Sequence, residues 1–234
     1  MNLEEVGHEV VVEYILHRTP FRSKATVASA VGILRGMGEY LLRAGVWRQN
    51  PLRWIRGPRI DPRGRLPRRI GRGHLEAIWE AAGKLRGYQR AQGVAVLSLL
   101  YGTGLRRGEL ERLNVGDWRR EEGVLVLDGR KTGRERSVPV SGGMWRCVEA
   151  YLPQRQNLLE RARRPEEEAL LVNRRGRRLS VEAITKLVHR LARVAGVPRV
   201  SLHQFRHTCA SDLIENGASL SEVQQMLTGR RVTA

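Results

Sequence analysis

Two short segments, about a hundred residues apart in a chain of 234, hold most of the side chains that could do chemistry: TGLRRGEL at 103–110 and HQFRH at 203–207. Between them lies GRKTGRER, residues 129–136. On a helix, His203 and His207 stand at i and i+4 on one face, the spacing of a zinc site. Gln204, however, occupies the place where a zinc protease needs its glutamate, and no acidic third ligand is near. We therefore expect neither a metal nor another cofactor. Taken singly, each arginine cluster is a weak signal, because an arginine at a helix start is usually just surface.

Composition narrows the partner. A formal charge of +18 and a pI near 11.3 are unusual for a soluble enzyme and favour a polyanion, nucleic acid being the commonest. A solvated basic surface is the bland alternative. Of the 42 basic residues only four are lysines (Lys24, Lys84, Lys131 and Lys186), so a lysine at a suggestive position is more informative than an arginine. Cys147 and Cys209 are too few and too isolated for a disulfide framework or a zinc site, which suits a reducing cytoplasm. The first ten residues, MNLEEVGHEV, lack the apolar core of a signal peptide. The longest strongly apolar stretch, VAVLSLL at 94–100, is too short to span a bilayer, so no membrane is expected.

The elements that must position these clusters follow from periodicity. Residues 4–16 and 25–44 carry helical patterns, followed by the turn signal Asn50-Pro51. Between Arg53 and Arg72 there are eight arginines against one aspartate, in a stretch rich in proline and glycine. That composition reads as a linker, either merely solvated or laid along a phosphate backbone. In the second reading Arg65, Arg68, Arg69 and Arg72 touch DNA. Helices are predicted over 74–85, 89–102, 107–113, 181–195 and 203–216, and a last one over 219–227 opens on a Ser219/Glu222 capping box. VLVLDG at 124–129 and RSVPVS at 136–141 read as a hairpin, with ALLVN at 169–173 as a candidate third strand. The expected fold is mainly α with a small antiparallel β-sheet (α+β). It divides into a helical domain over 1–58, a basic linker over 59–73 and a second domain over 74–234.

Taken together, TGLRRGELERLNVGDW, GVLVLDGRKTGRERSVPV and SLHQFRHTCASDLIENGASLSEVQQML resemble the tyrosine recombinase (phage integrase) family, in the same order and with similar spacings. The resemblance covers essentially all of 70–227. NPLRWIRGPRI and the helices before it are similar, less specifically, to the end of the family's SAM-like core-binding domain. Such enzymes clamp double-stranded DNA between an N-terminal helical domain and a catalytic domain, and act alongside other recombinase subunits. A tyrosine hydroxyl attacks a phosphodiester, giving a 3′-phosphotyrosyl link and a free 5′-hydroxyl, and attack by another strand rejoins the DNA.

With no metal in that chemistry, protein cations must neutralise the phosphorane-like transition state, and planar, permanently charged guanidiniums suit the task. The resemblance assigns this to Arg106 and Arg206, with Arg107 as the neighbouring alternative to Arg106. It makes Lys131 the general acid for the leaving 5′-oxygen, because lysine can give up a proton and arginine cannot. A solvated turn lysine is the competing reading. His203 matches the family's phosphate donor and proton-transfer aid, and His207 reads as structural. After SEVQQML the family continues Leu-Gly-His and, about nine residues on, reaches its tyrosine. Here Gly229 falls where the second catalytic histidine is expected, or Arg230 after a one-residue slip. Tyr14, Tyr40, Tyr88, Tyr101 and Tyr151 all precede the His-x-x-Arg box. The expectation is therefore a site-specific recombinase whose nucleophile segment is missing, unable to cleave alone. A catalytically inactive DNA-binding remnant or regulator is the alternative.

Overall fold

The computed structural model describes residue 6 and residues 8–18, 22–60, 69–127 and 136–229. The chain divides into two compact units, Met1–Leu66 and Pro67–Ala234. In the first, α1 (His8–Arg18) and α2 (Lys24–Arg43) pack through Val11, Val31 and Leu41 against Trp47, Leu52 and Ile55. Ser23 starts α2 by accepting a hydrogen bond from the Thr26 N–H at 3.2 Å. That satisfies one of the amide donors every helix start leaves unpaired.

The second unit is built around one buried helix. Its elements are α3 (Arg72–Gly83), α4 (Gly87–Thr103), α5 (Arg107–Arg112), α6 (Gly142–Arg161), α7 (Val181–Val194), α8 (Leu202–Glu215) and α9 (Leu220–Thr228). The consecutive residues Ala95–Leu100 of α4 are all buried, so this helix is covered on every side, by α3, α6, α7 and α8. Such a helix shows little amphipathic periodicity and belongs at a domain centre. Helix α7 is the opposite case: Ile184, Leu187, Val188 and Leu191 form one apolar stripe facing the core.

A three-stranded antiparallel sheet lies between the helices, in the order β1 (Trp118–Arg119), β2 (Val124–Leu127), β3 (Arg136–Pro139). The hairpin expected from 124–141 is present, with Leu125 opposite Val138 and Leu127 opposite Arg136. The third strand is not the expected one. Residues 169–173 form only isolated bridges, Asn114 to Ala169 and Val172 to Arg178, and Trp118–Arg119 takes the sheet edge. Ala169–Val172 are fully buried, so each backbone group needs a partner, and these come from scattered sources. The Leu170 N–H donates to the Leu113 carbonyl at 2.8 Å, the Val172 N–H to the Tyr151 hydroxyl at 3.2 Å, and Arg155 Nε to the Ala169 carbonyl at 2.9 Å.

Helix α6 was not foreseen at all. Gly142-Gly143 at its start and Pro153 inside it are breakers by propensity. Burial of Met144, Val148, Tyr151, Arg155 and Leu159 along one face overrides them. Residues 69–73, expected at the end of a linker, belong to the second unit. Ile70 is buried in its core, and the Ile70 N–H donates to the Thr208 hydroxyl of α8 at 2.9 Å. Residues 61–68 lie outside the described ones.

Candidate phosphate-binding site

Helix α4 ends at Gly104, whose φ of +57° turns the chain towards α5. A Cβ there would lie 2.6 Å from Leu227 Cδ2 of α9, so both the backbone conformation and the close approach require glycine. Two residues on, Arg106 is the N-cap of α5 with extended backbone. Its N–H donates to Glu109 Oε2 at 2.8 Å, and its Nη1 donates to Glu109 Oε1 at 2.9 Å. One carboxylate thus closes the helix start and holds the guanidinium, whose side chain is still 48% exposed.

Glu109 is shared. Arg136, at the start of β3, donates from Nη2 to Glu109 Oε2 at 2.7 Å and from Nη1 to the Met226 carbonyl. Both side chains are largely buried, at 13% and 9% exposure. Burial alone would raise the Glu109 pKa. The Arg106 N–H and the Arg136 and Arg106 charges more than offset that, and hold the carboxyl below its usual range.

Arg206 comes from α8, where Ser201 opens the helix with a capping box to Gln204. Burying a guanidinium is costly unless its donors are satisfied. Arg206 Nη1 donates to the Gly104 carbonyl at 2.6 Å and Nη2 to the Leu227 carbonyl at 2.8 Å. These two bonds fix the guanidinium plane, and a guanidinium has five N–H donors in all. Burial, then the neighbouring charges of Arg106 and Arg136, push the Arg206 pKa down to about 10, against the opposing pull of Glu109. It remains charged at neutral pH. Three guanidiniums therefore sit within each other's field around one carboxylate, an arrangement that an anion stabilises.

A concavity of about 660 Å³ opens on this cluster. Arg106, Arg206 and His203 line it, together with Arg107, His189 and Arg199, and none of its lining residues is a carboxylate. The structure thus brings together three of the four catalytic candidates, although they come from segments a hundred residues apart. Lys131 lies outside the described residues. His207 packs edge-on to His203, with ring centroids 4.3 Å apart, and burial followed by the charges of His203 and Arg206 keeps its pKa low. Among the described residues no group of three or more histidine, cysteine or acidic side chains converges as a metal site.

The expected DNA-contacting arginines are only partly visible. Arg65 and Arg68 lie outside the described residues. Arg69 pairs with Glu215 and lies 4.0 Å from Asp212, and exposed Arg72 pairs with Glu76 at 3.1 Å. Of the second unit's tyrosines, Tyr88, Tyr101 and Tyr151, none lines the concavity. Tyr101 donates to Asp212 Oδ2 at 2.8 Å, Tyr88 and Tyr151 share a buried hydrogen-bonded network, and Tyr14 and Tyr40 belong to the first unit.

Glu109, Arg136, His189 and Arg199 were missed from sequence. Glu109 had a readable signal, since it stands three residues after Arg106 at a helix start, the spacing of a capping interaction. His189 and Thr185 stand at i and i+4 on α7. Arg136 and Arg199 had no signal that set them apart among so many arginines.

The sequence profile of the phage integrase family matches residues 69–232. The chain is 33% identical over 208 residues to the tyrosine recombinase XerD of Oceanobacillus iheyensis, covering 88% of this chain and 68% of that protein. It is 29% identical over 227 residues to the tyrosine recombinase XerC of Roseiflexus castenholzii, covering 95% and 70%. Among solved structures, its fold is similar to a XerH site-specific recombinase bound to palindromic difH substrate in a post-cleavage complex. The TM-score is 0.76 at 22% identity, with 97% of this chain and 66% of that one covered. A lambda integrase dimer bound to a COC′ core site gives a TM-score of 0.71 at 17% identity, with 97% and 77% covered. The arginine cluster, the small sheet and the helices that frame it thus lie within a matched region that takes in most of the chain, and the chain belongs to the phage integrase family, the tyrosine recombinases.

Proposed function

We propose that this chain grips a phosphodiester of double-stranded DNA for site-specific recombination, with Arg106, Arg206 and His203 as the anion-binding groups and Lys131 as the proton donor to the leaving 5′-oxygen. The observation that carries this reading is the carboxylate-free concavity into which both arginines and the histidine converge. Arg206 is oriented by two carbonyls rather than neutralised by a carboxylate, so its charge remains available to a ligand. The net charge of +18 supplies the long-range attraction to a polyanion. Relatives that are recombinases, and similar folds solved on DNA as dimers and tetramers, support DNA and further recombinase subunits as partners. Among the described residues no helix is long and apolar enough to cross a membrane. Work on DNA would place the protein in the cytoplasm.

The positions of the tyrosines favour a more specific form of this reading. Tyr88, Tyr101 and Tyr151 of the second unit do not line the concavity, so in this form the second unit supplies the electrostatic clamp and none of these three hydroxyls is poised as nucleophile. Clamp and positioned nucleophile are separable contributions to such a reaction. The test is duplex binding followed across salt concentration, then incubation with a nicked suicide duplex and denaturing electrophoresis. Steeply salt-dependent binding without a covalent band is expected. Affinity that stays flat between low and physiological salt would refute the DNA reading. A covalent band carried by any of these three tyrosines would refute the clamp-only form.

A further inference from the structure

The concavity is larger than the cluster of Arg106, Arg206 and His203 requires. At about 660 Å³ it lies within the range of roughly 300–1,000 Å³ that holds a drug-sized ligand, whereas Arg106, Arg206 and His203 suffice to surround a single phosphate. The rest of its lining includes residues from different elements. These are Thr185 and His189, one turn apart on α7, and Arg199 and Ser201 on the segment that leads into α8.

Of these groups Arg199 and Ser201 can offer donors to an anion, and His189 orients Arg199. Arg199 donates from Nε to His189 Nε2 at 3.3 Å, which requires that nitrogen to be unprotonated. Burial, followed by the charges of Arg199 and Arg193, keeps the His189 pKa below its ordinary value, so the imidazole acts as a neutral acceptor. The guanidinium is thereby steered by its Nε edge, and its two Nη groups make no hydrogen bond among the described residues. No carboxylate among the described residues pairs with Arg199. This contrasts with Arg69, Arg72, Arg106 and Arg136, each of which has one. Ser201 accepts from the Gln204 N–H at 3.3 Å as the cap of α8, and its hydroxyl proton remains a donor. Thr185 gives its hydroxyl proton to the Val181 carbonyl at 2.7 Å, so it shapes the wall without offering a donor.

We propose that Arg199, steered by His189 and assisted by Ser201, forms a second phosphate subsite that seats a phosphodiester next to the one held by Arg106 and Arg206. This rests on the DNA reading above and adds to it that the concavity grips two successive charges of the backbone. A guanidinium that reaches its own phosphate releases its own counterion, whereas two that share a phosphate do not double the release.

The experiment measures the slope of log affinity against log salt for a mixed-sequence duplex with the full chain and the variants Arg199→Gln, Arg106→Gln and the double variant. Melting curves check that the exposed Arg199 substitution leaves the fold unchanged. Arg199→Gln is expected to flatten the slope by about 0.9, and Arg106→Gln by less, because Arg206 still holds the first phosphate. The double variant should flatten it by the sum of the two single effects. An Arg199→Gln slope equal to that of the unmodified chain while the double variant is flatter would mean one shared phosphate and would overturn the second subsite, and the DNA reading then stands. If none of the variants changes the slope, or the duplex does not bind, the DNA reading of the concavity fails and the subsite fails with it.

Discussion

Glu109 is the structural hinge of the cluster, and replacing it by alanine tests that most directly. Its carboxylate is 13% exposed and faces two cations in different surroundings, Arg136 at 9% and Arg106 at 48%. Removing one partner of a buried pair leaves the other charge desolvated and unpaired, at a cost of about 3–5 kcal/mol. Arg106 can recover its hydration, so its bond to Glu109 counts as a surface pair worth about 0.2–1 kcal/mol. A domain of this size shifts its melting temperature by roughly 2–4 °C per kcal/mol. Glu109→Ala should therefore melt roughly 6–20 °C lower, and Arg106→Ala no more than about 4 °C lower. Adding Arg136→Met to Glu109→Ala should restore part of the loss, because the stranded charge is then gone. Scanning calorimetry of the wild-type chain, the double variant and the single variants Glu109→Ala, Arg106→Ala and Arg136→Met decides it. Equal shifts for Glu109→Ala and Arg106→Ala, or a double variant that loses the sum of both single effects, would refute the buried pair as the unit. The pH dependence has a definite sign. The folded pKa of Glu109 lies below the ordinary value of 4.5, so its contribution is complete above that value. It is lost as pH falls through the folded pKa, and the gap between the wild-type chain and Glu109→Gln should narrow below about pH 4.5.

Gly104→Ala should cost about 1–3 kcal/mol in urea denaturation, because a side chain at φ +57° is strained and its Cβ meets Leu227 at 2.6 Å. An alanine variant of unchanged stability would show that the approach of α9 is looser than described. Ser219→Ala removes the hydroxyl that accepts from the Glu222 N–H at 3.2 Å, and should cost about 1 kcal/mol by the same assay. A loss below a few tenths would mean that water replaces the cap at no cost. Burial pushes the Cys209 thiol up to about 11, so an aromatic disulfide reagent at pH 8 should label Cys147 in the native chain and Cys209 only in denaturant. Equal native rates for the two thiols would contradict the packing of α8.

Where one face of a helix decides its burial, the sequence was readable. The stripe on α7, the Ser219/Glu222 box that opens α9 and the glycines after α7 and α8 all follow local rules. Helix α6 was not readable, because its Gly-Gly start and internal proline argue against a helix until Tyr151 and Arg155 are given something to pack on. The strand expected at 169–173 failed for a related reason. Its apolar run is consistent with any fully buried segment, and only tertiary partners such as the Arg155 Nε and the Tyr151 hydroxyl determine how its backbone is satisfied. In the site, Arg106, Arg206 and His203 could be picked out through the ordered resemblance of their motifs. Arg136 and Arg199 could not, since what sets each apart is the partner the fold brings to it, Glu109 for Arg136 and His189 for Arg199.

Helix α9 is finished by other parts of the molecule. Its nine residues are fewer than the roughly 12–15 at which an isolated helix begins to persist. Of its last carbonyls, Met226 is held by Arg136 from β3 and Leu227 by Arg206 from α8. The final turn of α9 and the orientation of Arg206 are therefore one cooperative event, formed together and lost together. A transient opening of α9 disarms the cluster for as long as it lasts, without any change at Arg106. The reverse holds with equal force: an anion that steadies Arg206 makes that opening rarer, and the amides at the end of α9 then exchange their hydrogens more slowly.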